Sequence, residues 1–388
     1  MIKTKRLLLL VFPIVLLTSC QTSTGSLTLE PTLSTQTATF PAAPATTTAQ
    51  QPTETPTTGP TEKLSPTDTI LPPTFTPEPF LPQGLPLIEP ENIVDLKTIN
   101  VIPVKEIYAL AFSQSGNKLA TISERWQDRS RFMEVWDLVS GEQILFLDNL
   151  GTPWDPFFSP DETQLFVFNP NQGIDIYDLA QKKLVRTMEI NADGSAFSPD
   201  GKYIAIGDYL GTPDESTIKV IDLATEQEQF TLTGQGMVMY IEFSPDGSLL
   251  VGGFQVSNHF RNFVWDISTL ERVADLIDYD YGLTFSPDNR MAATVKRGKV
   301  SIFSTEGWVL GFSYGFKDPN RQVKPRAFTQ DKQLLAAEDR YNIIFLETKT
   351  GEELFALPGE CDLRFSPKGN TLITWCYQSE VKIWGVIP

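Results

Sequence analysis

Apolar residues in the last three quarters of the chain come in short runs, rich in Phe, Ile, Val and Ala and separated by polar turns. The runs recur in register. Seven near-copies of one phrase read AFSQSGNKLA (111–120), FFSPDETQLF (157–166), AFSPDGKYIA (196–205), EFSPDGSLLV (242–251), TFSPDNRMAA (284–293), AFTQDKQLLA (327–336) and RFSPKGNTLI (364–373). Their anchors are Phe112, Phe158, Phe197, Phe243, Phe285, Phe328 and Phe365, spaced 46, 39, 46, 42, 43 and 37 residues apart. Ser suits the first position of a type I turn, Pro presets φ at the second, and Gly closes it. Each copy therefore predicts two strands joined by a tight hairpin. Both flanks are apolar nearly throughout, as expected of strands buried on both faces.

About twenty residues after each Phe comes a second phrase: EVWDLVSGE (134–142), DIYDLAQKK (175–183), KVIDLATEQ (219–227) and FVWDISTLE (263–271), then weaker forms at 301–307, 343–352 and 382–388. Each predicts a third strand, a turn and a fourth strand. Four strands at a period near forty predict an all-β chain, a seven-bladed β-propeller of four-stranded antiparallel blades over 93–388. The chain stops on the third strand of the last blade. Ile93–Val101 has strand composition and is expected to supply the missing outer strand, closing the ring.

Phe-Ser-Pro-Asp-Gly followed by Val-Trp-Asp-Leu resembles the WD-repeat β-propeller family. The resemblance covers roughly residues 93–388 and implies the propeller fold. Members often carry a Gly-His pair before the innermost strand, whose His joins a buried hydrogen-bond network. This chain has one His, His259, placed elsewhere. The Asp after the aromatic is present as Asp137, Asp178, Asp222 and Asp266 and reads as lost at Ser304, Leu346 and Gly385.

The N-terminus sets the expected compartment. Lys3, Lys5 and Arg6 precede the apolar run Leu7–Leu17, too short to span a bilayer stably. Leu17-Thr18-Ser19-Cys20 resembles a bacterial lipobox, which implies a signal peptide over 1–20, a lipid on Cys20 and an extracytoplasmic, membrane-anchored protein. Residues 21–92 read as a disordered tether: 34 of the 60 residues from 21 to 80 are Thr, Pro or Ser. An exporting route allows disulfides. Cys361 and Cys376 flank the last hairpin symmetrically, so a disulfide and two free thiols are both open readings.

Catalytic chemistry is sparse. One His excludes sites needing two His ligands, and no Cys-rich zinc site, Gly-x-Ser-x-Gly elbow or phosphate-cradling loop occurs. Neither a cofactor nor a metal is expected; the Asp278–Gly282 stretch reads as a solvated acidic connection, not a calcium loop. The net charge of −17 disfavours nucleic acid.

The remaining signal is loop length. Four segments stand out: Glu124–Arg131 with Arg125, Trp126, Arg129 and Arg131; Asp208–Thr217 with Tyr209; Phe254–Asn262 with His259 and Arg261; and Gly311–Lys324 with Tyr314, Phe316 and Arg321. All four, joined by Trp154, Tyr279 and Tyr281, are expected on one face. Aromatics and Arg on long loops are the composition of binding hot spots. The sequence thus points to a non-catalytic module binding a protein, peptide or glycan. A hydrolase or lyase using Asp, Glu, Arg and Tyr at the central mouth is one alternative, and a structural subunit of an envelope assembly is another.

Overall fold

The computed structural model describes residues 80–387, apart from 105, 126, 152, 171, 191–193, 208–215, 258, 280–281, 317–320, 322, 341 and 377–379. Seven four-stranded antiparallel sheets form a β-propeller. β1 (Leu96–Ile102) precedes blade one, which comprises β2 (Ile107–Phe112), β3 (Lys118–Glu124), β4 (Arg131–Asp137) and β5 (Gln143–Leu150). Blade two holds β6 (Pro156–Phe158), β7 (Gln164–Asn169), β8 (Gly173–Asp178) and β9 (Lys183–Met188). Blade three holds β10 (Gly194–Phe197), β11 (Tyr203–Gly207), β12 (Ser216–Asp222) and β13 (Glu228–Gly234). Blade four holds β14 (Met237–Phe243), β15 (Leu249–Val256), β16 (His259–Asp266) and β17 (Arg272–Ile277). Blade five holds β18 (Thr284–Phe285), β19 (Met291–Lys296), β20 (Lys299–Ser304) and β21 (Val309–Gly315). Blade six holds β22 (Val323–Phe328), β23 (Leu334–Asp339), β24 (Asn342–Glu347) and β25 (Glu353–Pro358). Blade seven holds β26 (Asp362–Phe365), β27 (Leu372–Trp375) and β28 (Val381–Val386), and β1 completes it.

The ring closes as the sequence implies, with one shift. The pairing runs from Leu96↔Val386 to Ile102↔Val381, while Ile93–Asp95 forms a short 3₁₀ turn instead of strand. The expected tether also ends earlier. Residues 80–92 pack on the propeller: the Phe80 N–H donates to the Val139 carbonyl (3.1 Å), and that of Ile88 to the Gly369 carbonyl (3.1 Å). Leu85, Ile88 and Ile93 are buried. Polar composition gave way here to a few apolar residues that fill the seams of blade seven. Residues 1–79, with Cys20 and the rest of the tether, lie outside the described residues.

The repeated hairpin is held by a buried hydroxyl. The residue after each anchor Phe is Ser113, Ser159, Ser198, Ser244, Ser286, Thr329 or Ser366, all buried. Each accepts the N–H of the residue five further on: Lys118 (3.1 Å), Gln164, Tyr203, Leu249 and Met291 (2.9 Å each), Leu334 (3.1 Å) and Thr371 (3.3 Å). In blades two to six the hydroxyl donates to the Asp two residues on, at 2.6–2.8 Å. That Asp in turn accepts a turn N–H, so the whole polar set is satisfied internally.

The fourth residue after each Phe has positive φ, which glycine adopts freely. Four copies use Gly there. The other three use Glu162, Asn289 and Lys332, and each side chain reaches the preceding blade. Glu162 accepts from Ser115 N–H (2.6 Å) and Lys118 Nζ (2.7 Å). Asn289 donates to Asp246 (3.0 Å), and Lys332 to Asp288 (2.8 Å). The strained backbone thus carries an inter-blade link.

The second phrase behaves alike. Asp137, Asp178, Asp222 and Asp266 each accept N–H groups of the following turn. Register corrects one reading: Glu347 pairs with Leu334 as Asp266 pairs with Leu249, so the residue at the acidic position in blade six is Glu347 and not Leu346. It accepts from the Thr350 hydroxyl (2.5 Å). In blade seven a buried Glu360 precedes the innermost strand, following Gly359. Its carboxylate accepts from Thr374 Oγ1 (2.7 Å) and Lys382, and Trp384 Nε1 donates to Thr374 Oγ1 (2.7 Å). The network expected of a His is built there on a carboxylate.

Burial alone would raise the Glu162 carboxyl, but Lys118 and the Ser115 N–H hold it at about 2. A depressed folded pKa adds stability above the unfolded value of about 4.3 that is lost as pH falls toward 2. Glu162→Gln should cost roughly 1.5–3 kcal/mol at pH 7 and flatten the acid limb of a urea-unfolding series between pH 4.5 and 2. An unchanged limb would contradict the link.

Candidate functional site

Antiparallel pairing puts each blade's first hairpin and its third-to-fourth turn on one face. The second-to-third loops and the inter-blade connections share the other. The sequence-selected residues were expected on this second face. The structure describes most of them, and it commits nearly all of the arginines to ion pairs.

In blade one, Arg125 bonds Asp148 (2.5 Å) and lies over Phe132, and Arg129 bonds Glu124 (2.6 Å). Arg129 is the main cause of the lowered Glu124 carboxyl pKa. In blade four, Arg261 grips Asp275 through Nε (2.7 Å) and Nη2 (2.5 Å) and lies over Phe263. Between blades five and six, Arg321 bonds Asp339 (2.7 Å) and Glu353 (2.9 Å) and lies over Phe316.

Several loop expectations change. Phe254–Asn262 is not a long loop: β15 and β16 pair as far as Val256↔His259, and Ser257 turns with positive φ. Residues 311–315 belong to β21. Tyr314 is therefore not displayed; its ring lies on Gly351 of blade six and next to Phe316. Tyr279 packs edge-on against Phe303 (5.4 Å) beneath Lys296. His259 stays exposed, its Nδ1 3.0 Å from Asp278. Trp126, Tyr209 and Tyr281 lie outside the described residues.

Trp154 does join a cluster, with Arg131 of the blade-one loop and with Tyr108, which the sequence reading missed. Its ring is 6.3 Å from that of Tyr108, which is exposed. Arg131, nearly buried, lies 3.9 Å from the centre of the Tyr108 ring. Its Nη1 donates to the Pro153 carbonyl (2.8 Å), and its Nε to Glu124 (3.2 Å). One guanidinium thus fixes the connection into blade two and the aromatic beside it. Cys361 and Cys376 form a disulfide, with Cα atoms 5.0 Å apart, one step beyond the Asp362↔Trp375 pair.

A second site lies in the central channel, a cavity of about 530 Å³ walled by the innermost strands of blades two to seven. Asp155 and Glu242 line it, as do Arg326 and Arg364. Arg326 sits at a bulge between Pro325 and Ala327, which re-aims its side chain toward Glu338 and Asp362 (3.7 Å). Asp155 is open to channel water yet ringed by protein, and this desolvation raises its pKa, opposed by Arg364. Glu242, half-buried, is pushed to about 7 by desolvation, again opposed by Arg364. Among the described residues no group of His, Cys, Asp or Glu is placed to hold a metal.

Repeat alignment carries the signal that would have found this site. The position before the anchor Phe is small in three blades, Ala111, Ala196 and Ala327, but Phe157, Glu242, Thr284 and Arg364 in the others. In five blades that position lines the channel: Phe157, Ala196, Glu242, Thr284 and Arg364.

No family model matches the chain. It is similar to Telomerase protein component 1 of Mus musculus, 27% identical over 214 residues, covering 53% of this chain and 8% of that protein. The chain therefore spans a small fraction of that relative's length.

A carboxyl with a raised folded pKa destabilises the fold as pH climbs from the unfolded value through the folded one. Glu242→Gln should therefore gain on the parent between pH 5 and pH 8, by roughly 1–3 kcal/mol, in thermal melts. An equal offset at both pH values would contradict the channel environment assigned to Glu242.

Proposed function

We propose that this chain is a non-catalytic binding module: a WD-repeat-like propeller that presents its loop face to a protein, peptide or glycan. The observation that carries this reading is the Tyr108–Arg131–Trp154 cluster. It combines exposed aromatic surface with a guanidinium held by two further bonds. Aromatics and Arg dominate binding hot spots, and preorganised side chains lose little entropy on association. Ion pairs at Arg125, Arg261 and Arg321 stiffen the surroundings of this face and leave their charges already neutralised. The expected partner therefore meets aromatic and polar surface more than free positive charge.

The lipobox-like Leu17–Cys20 and the Thr/Pro-rich segment extend the proposal to a lipid-anchored, extracytoplasmic protein on a tether. About sixty flexible residues would have a root-mean-square span of roughly 40–45 Å. Phe80 joins the propeller beside the third-to-fourth turn of blade one, on the face opposite the cluster.

One observation favours a second reading. Asp155 and Glu242 share the channel, and both have raised pKa values, a pairing found in acid–base sites. A hydrolase or lyase would use them as proton carriers beside Arg364.

The first reading is tested by capture from the source envelope with the full chain as bait, beside a Tyr108→Ala/Trp154→Ala variant. A partner held by the parent and weakened at least tenfold in the variant supports it. A partner held equally by both, or no partner at all, contradicts it. Turnover of a substrate abolished by Glu242→Gln would establish the second reading instead.

A further inference from the structure

The charges in the channel are sorted by blade. Asp155 comes from the connection into blade two and Glu242 from blade four, with Ser195 of blade three between them around the ring. Arg326 and Arg364 come from blades six and seven, on the opposite arc of the ring. Arg326 is engaged by Glu338 and Asp362. Arg364 is not. Its one side-chain hydrogen bond among the described residues runs from Nη1 to the Leu363 carbonyl (3.2 Å), which leaves most of its five N–H donors open. No described residue donates a hydrogen bond to the carboxylate of Asp155 or Glu242; desolvation raises both pKa values, opposed by the charge of Arg364. The Ser195 hydroxyl is buried and without a hydrogen-bond partner among the described residues.

Opposite charges held apart in a partly enclosed space each bear a desolvation cost that no internal bond offsets. A ligand that brings a complement to both removes the two costs at once. Part of the lining is apolar: Phe157 of blade two is stacked on Phe197 of blade three (4.8 Å between ring centres), and Leu283, leading into blade five, is buried. The volume lies within the range of small-molecule sites, about 300–1,000 Å³.

We propose that the channel binds a short peptide-like zwitterion, with its carboxylate on Arg364 and its ammonium between Asp155 and Glu242. The apolar backbone or side chains of such a ligand lie along Phe157. A dicarboxylate would meet Asp155 and Glu242 without a counter-charge, and a diamine would meet Arg364 likewise. Asp155 follows Trp154 in the chain, but Tyr108, Arg131 and Trp154 do not line the channel, so the capture experiment can fail while this proposal holds, and the reverse.

Calorimetric titration of the full chain at pH 7.5, between the Glu242 and α-amino pKa values, tests it with three probes that differ in their terminal charges: trialanine, N-acetyl-trialanine and trialanine amide. Trialanine should bind, and either cap should weaken binding ten- to a hundredfold, the scale of one charge-assisted hydrogen bond. Arg364→Met should bind trialanine and its amide equally while keeping the penalty for the acetyl cap. Glu242→Gln should shrink the acetyl penalty and keep that for the amide. Thermal melts establish that both variants fold. Absence of trialanine binding at millimolar concentration overturns the proposal, as does an amide that binds the parent as tightly as the free acid.

Discussion

Each anchor Phe is followed by a buried Ser or Thr whose hydroxyl accepts the N–H at the start of the next strand, and the remaining architecture depends on that bond. An unpaired amide at this depth would cost about 1–3 kcal/mol, and the motif recurs seven times. The hydroxyl fixes where the first strand ends and the second begins. That sets the register in which Phe, and the apolar residues two apart from it, face the seams between blades. In blades two to six the Asp two residues on completes the turn, and in all seven the following position has positive φ. In three blades that position carries a side chain reaching the preceding blade, so local turn chemistry also ties blades together.

Ring closure supplies what local chemistry lacks. β1 and β28 join segments nearly three hundred residues apart, and Phe80–Asp95 seals the seams of blade seven with Leu85, Ile88 and Ile93. An open array of blades would unfold from its ends. A closed one has no end, so every blade gains both neighbours. The rigid ring then holds the channel residues and the loop face in fixed positions, which both proposed binding sites require.

The repeats made the architecture legible. Ser-Pro-Asp-Gly has one conformational meaning, and its spacing counts the blades. The latch was legible from composition but not to the residue, because Ile93–Asp95 is as apolar as the strand it precedes. The packed stretch 80–92 was hidden: its prolines and polar residues look like the tether, and only the seam it fills explains Leu85 and Ile88. Charged residues near the loop face were visible, but not their partners. Arg261 pairs with Asp275 from the adjacent strand, and Arg321 with Glu353 from the outermost strand of the blade it leads into, pairings set by the fold and not by sequence proximity. The channel residues went unread because Glu242 and Arg364 stand inside the repeated phrase, where they look like tolerated variation. Their meaning depends on the alternation of the innermost strand and on what faces it across the ring.

Native-state hydrogen exchange at Lys118, Gln164, Tyr203, Leu249, Met291, Leu334 and Thr371 tests the central claim most directly, because these are the amides held by the buried hydroxyls. A ring closed at β1–β28 should open as one unit. All seven amides should then exchange at one slow rate that rises together with added denaturant. A single hairpin exchanging far faster than the rest, through openings insensitive to denaturant, would contradict the account.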